Sequence, residues 1–305
     1  MNRKKLILGS RGSDLALYQA NFVANLLESE LDCPAGIKII KTSGDKLQEL
    51  SFDKMEGKGF FTKELEDALL AREIDLAVHS LKDLMTSMPD GLKLGTVGYR
   101  ADRCEMLLST KDAYEQGTLV PVRSGSVIGT SSTRRKCQLA HHAPTLEIKD
   151  LRGNVPTRVS KLREGLYDAI IVAAAGVTRL ELDLSDLKVT LLDPEKFLPA
   201  PAQGILGIQI RSNDSDVESV ISRLGSKSDA LAANLERGLL ARFDAGCSLP
   251  LGVFSDISGD SLRLKAVLGQ REGDTWTGLT EIQVTGTDPE TMVDEAFARL
   301  CGEKA

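Results

Sequence analysis

Residues 5–20 read KLILGSRGSDLALYQA, and residues 126–140 read SVIGTSSTRRKCQLA. Each starts with a short apolar run, passes through a turn of small polar residues and enters a segment of helical period. In the first, Leu15, Ala16, Gln19, Val23, Leu26 and Leu27 keep that period, which predicts a helix over 14–29. Ser13 is a good N-cap for it. A strand, a polar turn and a helix, met twice, point to two α/β units.

Working outward, residues 37–42 and 74–78 (IDLAV) read as further buried strands. Between them Thr62 to Arg72 is amphipathic, with Leu65, Ala68 and Leu69 on one face. TLEIKDLRG (145–153) and DAIIVAAAG (168–176) supply strands to the second unit. GILGIQIR (204–211) is strand-like and is read as a return of the chain to the first unit. The end differs in texture. Ser228 to Phe243 is helical, with Leu231, Leu235 and Leu239 spaced four apart. LGVFSDIS, SLRLKAVLGQ and TWTGLTEIQV, joined by turn signals, predict an antiparallel meander. Asp288-Pro289-Glu290 opens a last helix, with proline in its first turn and Val293, Phe297 and Leu300 inward. The expected division is 1–99 with 202–224, then 100–201, then 225–305.

Charge is concentrated. Between Gly129 and Arg163 stand Arg134, Arg135, Lys136, Lys149, Arg152, Arg158, Lys161 and Arg163, against Glu147 and Asp150, in a chain of net charge −6. Guanidinium groups fork onto carboxylates and phosphates, so this cluster suits a multiply anionic small molecule. A solvated basic face is the plainer alternative. The turns GSRGS (9–13) and GTSST (129–133) aim backbone N–H groups and a helix start at an anion. Neither is a P-loop, and a capped helix start accounts for either one taken alone. Asp83, in AVHSLKDL, follows an apolar strand, where α/β sheets gather ligands. Its carboxylate suits proton transfer or stabilisation of a cation; a salt bridge to Lys82 or a turn cap is the other reading. His79 reads as a packed histidine. GKGFFTKEL (57–65) is either a mobile lid bringing Lys58 to a ligand or an ordinary loop. Cys247, in DAGCSLPLG, lies on a shaped loop fit for covalent attachment, although a buried inert thiol is the plainer reading of one cysteine.

Composition narrows the classes. Apolar residues make up 42% and charged residues 27%, the balance of a soluble globular protein. Five unclustered cysteines and three histidines speak against a disulfide framework or a metal site. Acidic balance and a single tryptophan speak against general nucleic-acid binding. No apolar run approaches the ~20 residues of a membrane span, and the N-terminus lacks a signal-peptide core. The expected compartment is the cytoplasm.

Taken together, GSRGSDLALYQA, GKGFFTKELEDALL, DLAVHSLKDL, IGTSSTRRKCQL, DLRGNVPTRVSKL, YDAIIVAAAGVTRL, LPAPAQGILGI and AGCSLPLG resemble the porphobilinogen deaminase (hydroxymethylbilane synthase) family. Order and spacing match over nearly the whole chain. The resemblance implies two α/β domains like a type II periplasmic binding protein, with a cleft between them, and a small C-terminal α+β domain. It implies a dipyrromethane cofactor attached through a thioether to Cys247. Porphobilinogen would lose ammonia and be added to the bound chain four times, and hydrolysis would release a linear tetrapyrrole. Asp83 falls on the family's catalytic aspartate. Thr130, Ser132, Arg134, Arg135, Arg158 and Lys82 fall on cofactor-binding positions. Arg11, Ser13, Arg152 and Arg179 fall on substrate-binding positions. Lys58 and Phe61 fall on the active-site loop. A monomer is implied, with the product passing to uroporphyrinogen-III synthase and no metal, membrane or nucleic-acid partner. There are departures. Asp14 and Arg103 stand where the family often has proline, Leu84-Met85 replaces an apolar-proline pair, and Cys104-Glu105 replaces Arg-Asp. Ala202 and Ala245 replace glycines.

Overall fold

In the computed structural model, which describes residues 5–42, 62–244, 249–273 and 275–302, the opening apolar run is strand β1 (Leu6–Ser10). It feeds helix α1 (Asp14–Leu31), whose first turn is capped by Ser13: its Oγ accepts the Ala16 N–H. Gln19, Ala20, Val23, Ala24, Leu27 and Leu31 form the buried face, and Asp32 ends the helix in the left-handed region. Then come β2 (Ala35–Ile39), α2 (Lys63–Leu70), β3 (Leu76–Ser80), a 3-10 turn (Leu81–Asp83) and β4 (Leu92–Gly98). The second unit holds β5 (Glu105–Ser109), β6 (Val127–Gly129), α3 (Thr133–His142), β7 (Glu147–Lys149), α4 (Val155–Arg163), β8 (Ala169–Ala173), α5 (Ala174–Arg179) and β9 (Lys188–Leu192). The chain continues through β10 (Leu206–Arg211), α6 (Ser215–Ile221), α7 (Lys227–Arg242), β11 (Leu251–Ser258), β12 (Ser261–Glu272), β13 (Thr275–Gly286) and α8 (Pro289–Leu300).

The two five-stranded sheets share one plan. The first runs β2-β1-β3-β10-β4 and the second β7-β6-β8-β5-β9. In each, the first three strands are parallel, and the fourth is antiparallel to both its neighbours. The fourth strand is the one next to the crossing: β5 as the chain enters the second sheet, β10 after it returns to the first. Helices cover the faces of both sheets, as a parallel core requires. Leu6, Leu8, Val78 and Ile208 pack under α1, while Leu65, Leu69 and Ile74 close the opposite side. The third sheet is the meander β11-β12-β13, and Leu235, Leu239, Val253, Leu264, Val293 and Leu300 join it to α7 and α8.

Two strands are displaced from the sequence reading. β2 begins two residues early, because its ladder with β1 starts at Leu6 and Ala35. β3 runs on through polar His79 and Ser80, because β10 pairs with it as far as Ser80 and Leu206. The apolar run ends at Val78; the ladder carries the strand two residues further.

Candidate active site

The two turns hang from equivalent strands, β1 and β6. A Cβ on Gly9 would displace the tip of the Ile74 side chain, and one on Gly129 would lie 2.8 Å from the Tyr167 ring, so close packing favours glycine at both strand ends. In the first turn Ser13 spends its hydroxyl on the α1 cap, and Arg11 is half-buried beside it. In the second turn the Thr130 N–H donates to the Lys149 carbonyl at 2.8 Å, and Thr130 Oγ1 accepts the Ser132 N–H at 3.3 Å. Ser132 occupies the N-cap of α3 but its side chain makes no capping bond. A short helix start without its side-chain cap remains open to an anion.

Arg134 and Arg135 follow, and both are buried. Their common partner is Glu105, at the start of β5 and wholly buried. Arg134 Nη2 reaches Glu105 Oε1 at 2.5 Å and Arg135 Nη2 reaches Oε2 at 2.6 Å. Arg134 Nη1 also donates to the Leu198 carbonyl at 2.8 Å, and Arg135 Nη1 to the Ile171 carbonyl at 2.8 Å. Burial pushes the Glu105 carboxyl up, but Arg135 and Arg134 outweigh it and, with Lys82, hold it down to about 2. Two guanidinium groups on one carboxylate leave a net positive charge in the second sheet.

Lys82 and Asp83 sit at the carboxyl end of β3, on the 3-10 turn. The salt bridge weighed for them is absent: Lys82 Nζ donates to Gln203 Oε1 at 3.3 Å. Asp83 is exposed, and its carboxylate has no partner among the described residues. Burial lowers the Lys82 ammonium, Asp83 opposes that, and Arg135 adds to it. Arg158 lies across the cleft on α4 and donates Nε to the Gly153 carbonyl at 2.7 Å. Burial, then Arg135 and Arg152, push its guanidinium down to about 10, while Asp83 and Glu105 pull the other way. Asp83 from the first sheet thus lies within electrostatic reach of Arg158 from the second, which Arg135 and Arg152 also reach.

Other sequence candidates fall elsewhere. Arg179, at the end of α5, gives Nη2 to the carbonyls of Gly204 (2.8 Å) and Tyr99 (3.3 Å), one on each segment linking the sheets. Its guanidinium braces the crossings. His79 is buried, and its Nε2 lies 3.1 Å from Gln209 Oε1. Gln209 donates its own amide to Glu66, so the imidazole is the donor to Gln209. Burial pushes His79 down to about 4, against the bond to Gln209, and Arg11 lowers it further. Cys247, Lys58 and Phe61 lie outside the described residues. Among the described residues no group of three or more His, Cys, Asp or Glu is placed to hold a metal ion, and no helix is long and apolar enough to cross a membrane.

Sequence reasoning missed three residues. Glu105 was noted only as a departure, although a lone acid at the mouth of the apolar run EMLLS is a signal. Gln203 holds Lys82 and donates to the Arg103 carbonyl at 2.9 Å. Glu236 on α7 is wholly buried and accepts from Arg100 (2.8 Å), the Ala202 N–H (2.7 Å) and Ser255 (2.6 Å). It ties both crossings to the third unit.

Comparison with known proteins bears on this geometry. A family model described as porphobilinogen deaminase, dipyromethane cofactor binding domain, matches residues 6–219. Another, porphobilinogen deaminase, C-terminal domain, matches residues 230–302. A porphobilinogen deaminase of Maridesulfovibrio salexigens is 41% identical over 274 residues, covering 88% of this chain and 86% of that protein. One of Nitratiruptor sp. is 43% identical over 270 residues, covering 88% and 84%. Among solved structures, the periplasmic VFT2 domain of Bordetella pertussis BvgS aligns at a TM-score of 0.45 and 12% identity, covering 75% of this chain and 90% of that one.

Proposed function

The chain belongs to the porphobilinogen deaminase family, and from that premise we propose how its residues divide the chemistry. The enzyme condenses four porphobilinogen molecules, with loss of ammonia, into linear hydroxymethylbilane on a dipyrromethane primer. In reaction class it is a transferase, hydroxymethylbilane synthase. We read it as a cytoplasmic monomer that passes its product to uroporphyrinogen-III synthase. Residues 1–99 with 202–224, 100–201 and 225–305 form its three domains.

The residues present fit the cofactor. Its pyrroles carry carboxylates, and the cations around the cleft outnumber Asp83 and Glu105. Burial first, and then Arg135 and Arg152, depress the guanidinium of Arg158. Cys247 provides the attaching thiol. Thr130, Ser132, Arg134, Arg135, Arg158 and Lys82 hold the carboxylates of the cofactor, and Arg11, Ser13 and Arg152 receive those of the substrate, while Arg179 keeps the crossings in place beside them. Glu105 keeps Arg134 and Arg135 in fixed directions, so no reorganisation is needed when an anion arrives. Lys58 and Phe61 close over the site. When bound, the cofactor supplies a nucleophilic pyrrole carbon.

Asp83 carries the chemistry in this reading. As ammonia leaves porphobilinogen, positive charge develops on the pyrrole nitrogen. The Asp83 carboxylate stabilises that charge and accepts a proton afterwards. One observation supports this most: the carboxylate makes no hydrogen bond among the described residues, yet lies within electrostatic reach of Arg158 from the other sheet. Turnover of Asp83→Asn tests this role, and an acid quench followed by Ehrlich's reagent, with intact mass and peptide mapping, tests the cofactor assignment. We expect colour and a two-pyrrole adduct on Cys247. An unmodified Cys247 in protein that still consumes porphobilinogen would sink the assignment.

A further inference from the structure

Asp83 rides on a single 3-10 turn. Because its side chain has no partner among the described residues, the backbone alone sets its position. On one side the Leu81 N–H donates to the Ile205 carbonyl at 2.9 Å, and the Leu84 N–H closes the turn on Leu81 at 3.3 Å. On the other side stands Arg237, from α7 of the third unit. Its Nη1 donates to the carbonyls of Leu81 (2.9 Å) and Leu84 (2.8 Å), and its Nη2 to that of Met85 (2.7 Å). One guanidinium therefore takes three carbonyls on the two sides of Asp83. A one-turn helix gives its first carbonyl a single long helical bond and the following ones none, and a planar fork of donors is suited to collect them.

We infer that Arg237 is a positioning residue for the reaction, fixing the Asp83 carboxylate by gripping the turn that carries it. The inference rests on reading Asp83 as the catalytic carboxylate. It also links two parts of the site. The chain that leaves α7 runs on to Cys247, so the segment that brings the attachment cysteine also sets the carboxylate. A tie that merely docks the third unit would affect folding and cofactor retention and leave the chemical step alone.

The test is a double-mutant cycle on cofactor-loaded enzyme, with Arg237→Lys, Asp83→Asn and both together. Lysine keeps the charge and loses the fork. We expect kcat to fall roughly 10- to 100-fold in Arg237→Lys, the scale of a small misplacement of a reacting group. KM for porphobilinogen should stay within about twofold, as for a loss felt in the transition state alone. In the Asp83→Asn background the same change should cost less than about threefold, because the two act as one unit. Wild-type kcat in Arg237→Lys, a loss confined to KM, or full additivity in the double variant would each overturn the inference. Near-normal turnover in Asp83→Asn would remove the reading of Asp83 and the inference with it. A slow Asp83→Asn beside a normal Arg237→Lys removes the inference alone. If Arg237→Lys fails to fold, Arg237→Gln takes its place in the cycle. Amide exchange supplies a second measurement: residues 81–85 should lose protection in the variant while α1 keeps its own. Unchanged exchange at 81–85 counts against the proposal.

Discussion

The turn at 9–13 and the turn at 129–133 start from one design and end in different uses. Both follow the second strand of a sheet, both favour glycine at the strand end, and both open a helix. In the first, the serine is spent on a cap and a single arginine stays half-buried. In the second, two arginines are buried on one carboxylate and the serine at the N-cap makes no cap bond. The first turn is built as a helix start with a cation beside it. The second is built as a buried ion cluster at a helix start, its guanidinium donors fixed on Glu105 and on two backbone carbonyls. The division proposed above puts the cofactor on the second unit and the substrates on the first, and the two turns can be set against each other to test it.

The hardest way to break the comparison is to remove Glu105. Glu105→Gln leaves two buried guanidinium groups without their countercharge, and we expect a loss of about 3–5 kcal/mol in stability. Arg11→Leu, at a half-buried position outside that ion cluster, should cost clearly less. Chemical denaturation measures both. Mass spectra should show cofactor loading blocked in Glu105→Gln and intact in Arg11→Leu, with chain extension stalled in the latter. Equal losses would mean that the two arginine sets are held alike.

Asp83→Asn sharpens the comparison from across the cleft. The change keeps shape and removes the charge that answers Arg158. Turnover should fall about 10²–10³-fold, or ~2–4 kcal/mol, the scale of a deleted electrostatic group. Cofactor should stay bound. Near-normal turnover would move the role to another residue.

Acid separates the units by a third route. His79 in the first sheet is buried neutral, held down to about 4 from 6.5. The unfolded chain takes up this proton first, so the stability His79 contributes is full above 6.5 and is lost as pH falls from there towards 4. The loss is at most about 3 kcal/mol. Glu105 in the second sheet is held at about 2 against an ordinary 4.5, so its contribution is full above 4.5 and is lost between 4.5 and 2. Unfolding midpoints followed against pH should show two windows. His79→Gln should flatten only the upper one. A single window unaffected by His79→Gln would contradict the buried neutral imidazole.

Legibility in the sequence followed distance along the chain. The Ser13 cap, the Leu231-Leu235-Leu239 stripe, the proline-opened last helix and the meander are local patterns, and each stands where the spacing put it. The basic cluster was also legible, because α3 and α4 each carry several of its members in one run. What the cluster is tied to was not. Glu105 meets Arg134 across 29 positions and Arg237 meets Leu81 across 156. No periodicity encodes such a pairing. Arg179 illustrates the limit: its place near the cleft was expected, yet two crossing carbonyls claim its Nη2. His79 shows the reverse, since a histidine in an apolar strand is legible as packed from burial alone.

The smallest expected effect is the most direct test of the contrast between the turns. In Ser13→Ala the Ala16 N–H loses its acceptor, and the cost should be about 1 kcal/mol of stability. Ser132→Ala removes a hydroxyl that satisfies no helix N–H, so protein without cofactor should unfold within a few tenths of a kcal/mol of wild type, as at an ordinary surface position. Cofactor-loaded protein should reverse the order. If the Ser132 hydroxyl donates to a cofactor carboxylate, its removal forfeits a charge-assisted hydrogen bond, about 1.5–3 kcal/mol of the stabilisation gained on loading. Ser13→Ala should gain as much from loading as wild type does. Thermal midpoints of both variants, with and without cofactor, give the four numbers needed. Equal costs without cofactor would show that the two serines are interchangeable caps and that the second turn holds no reserved donor.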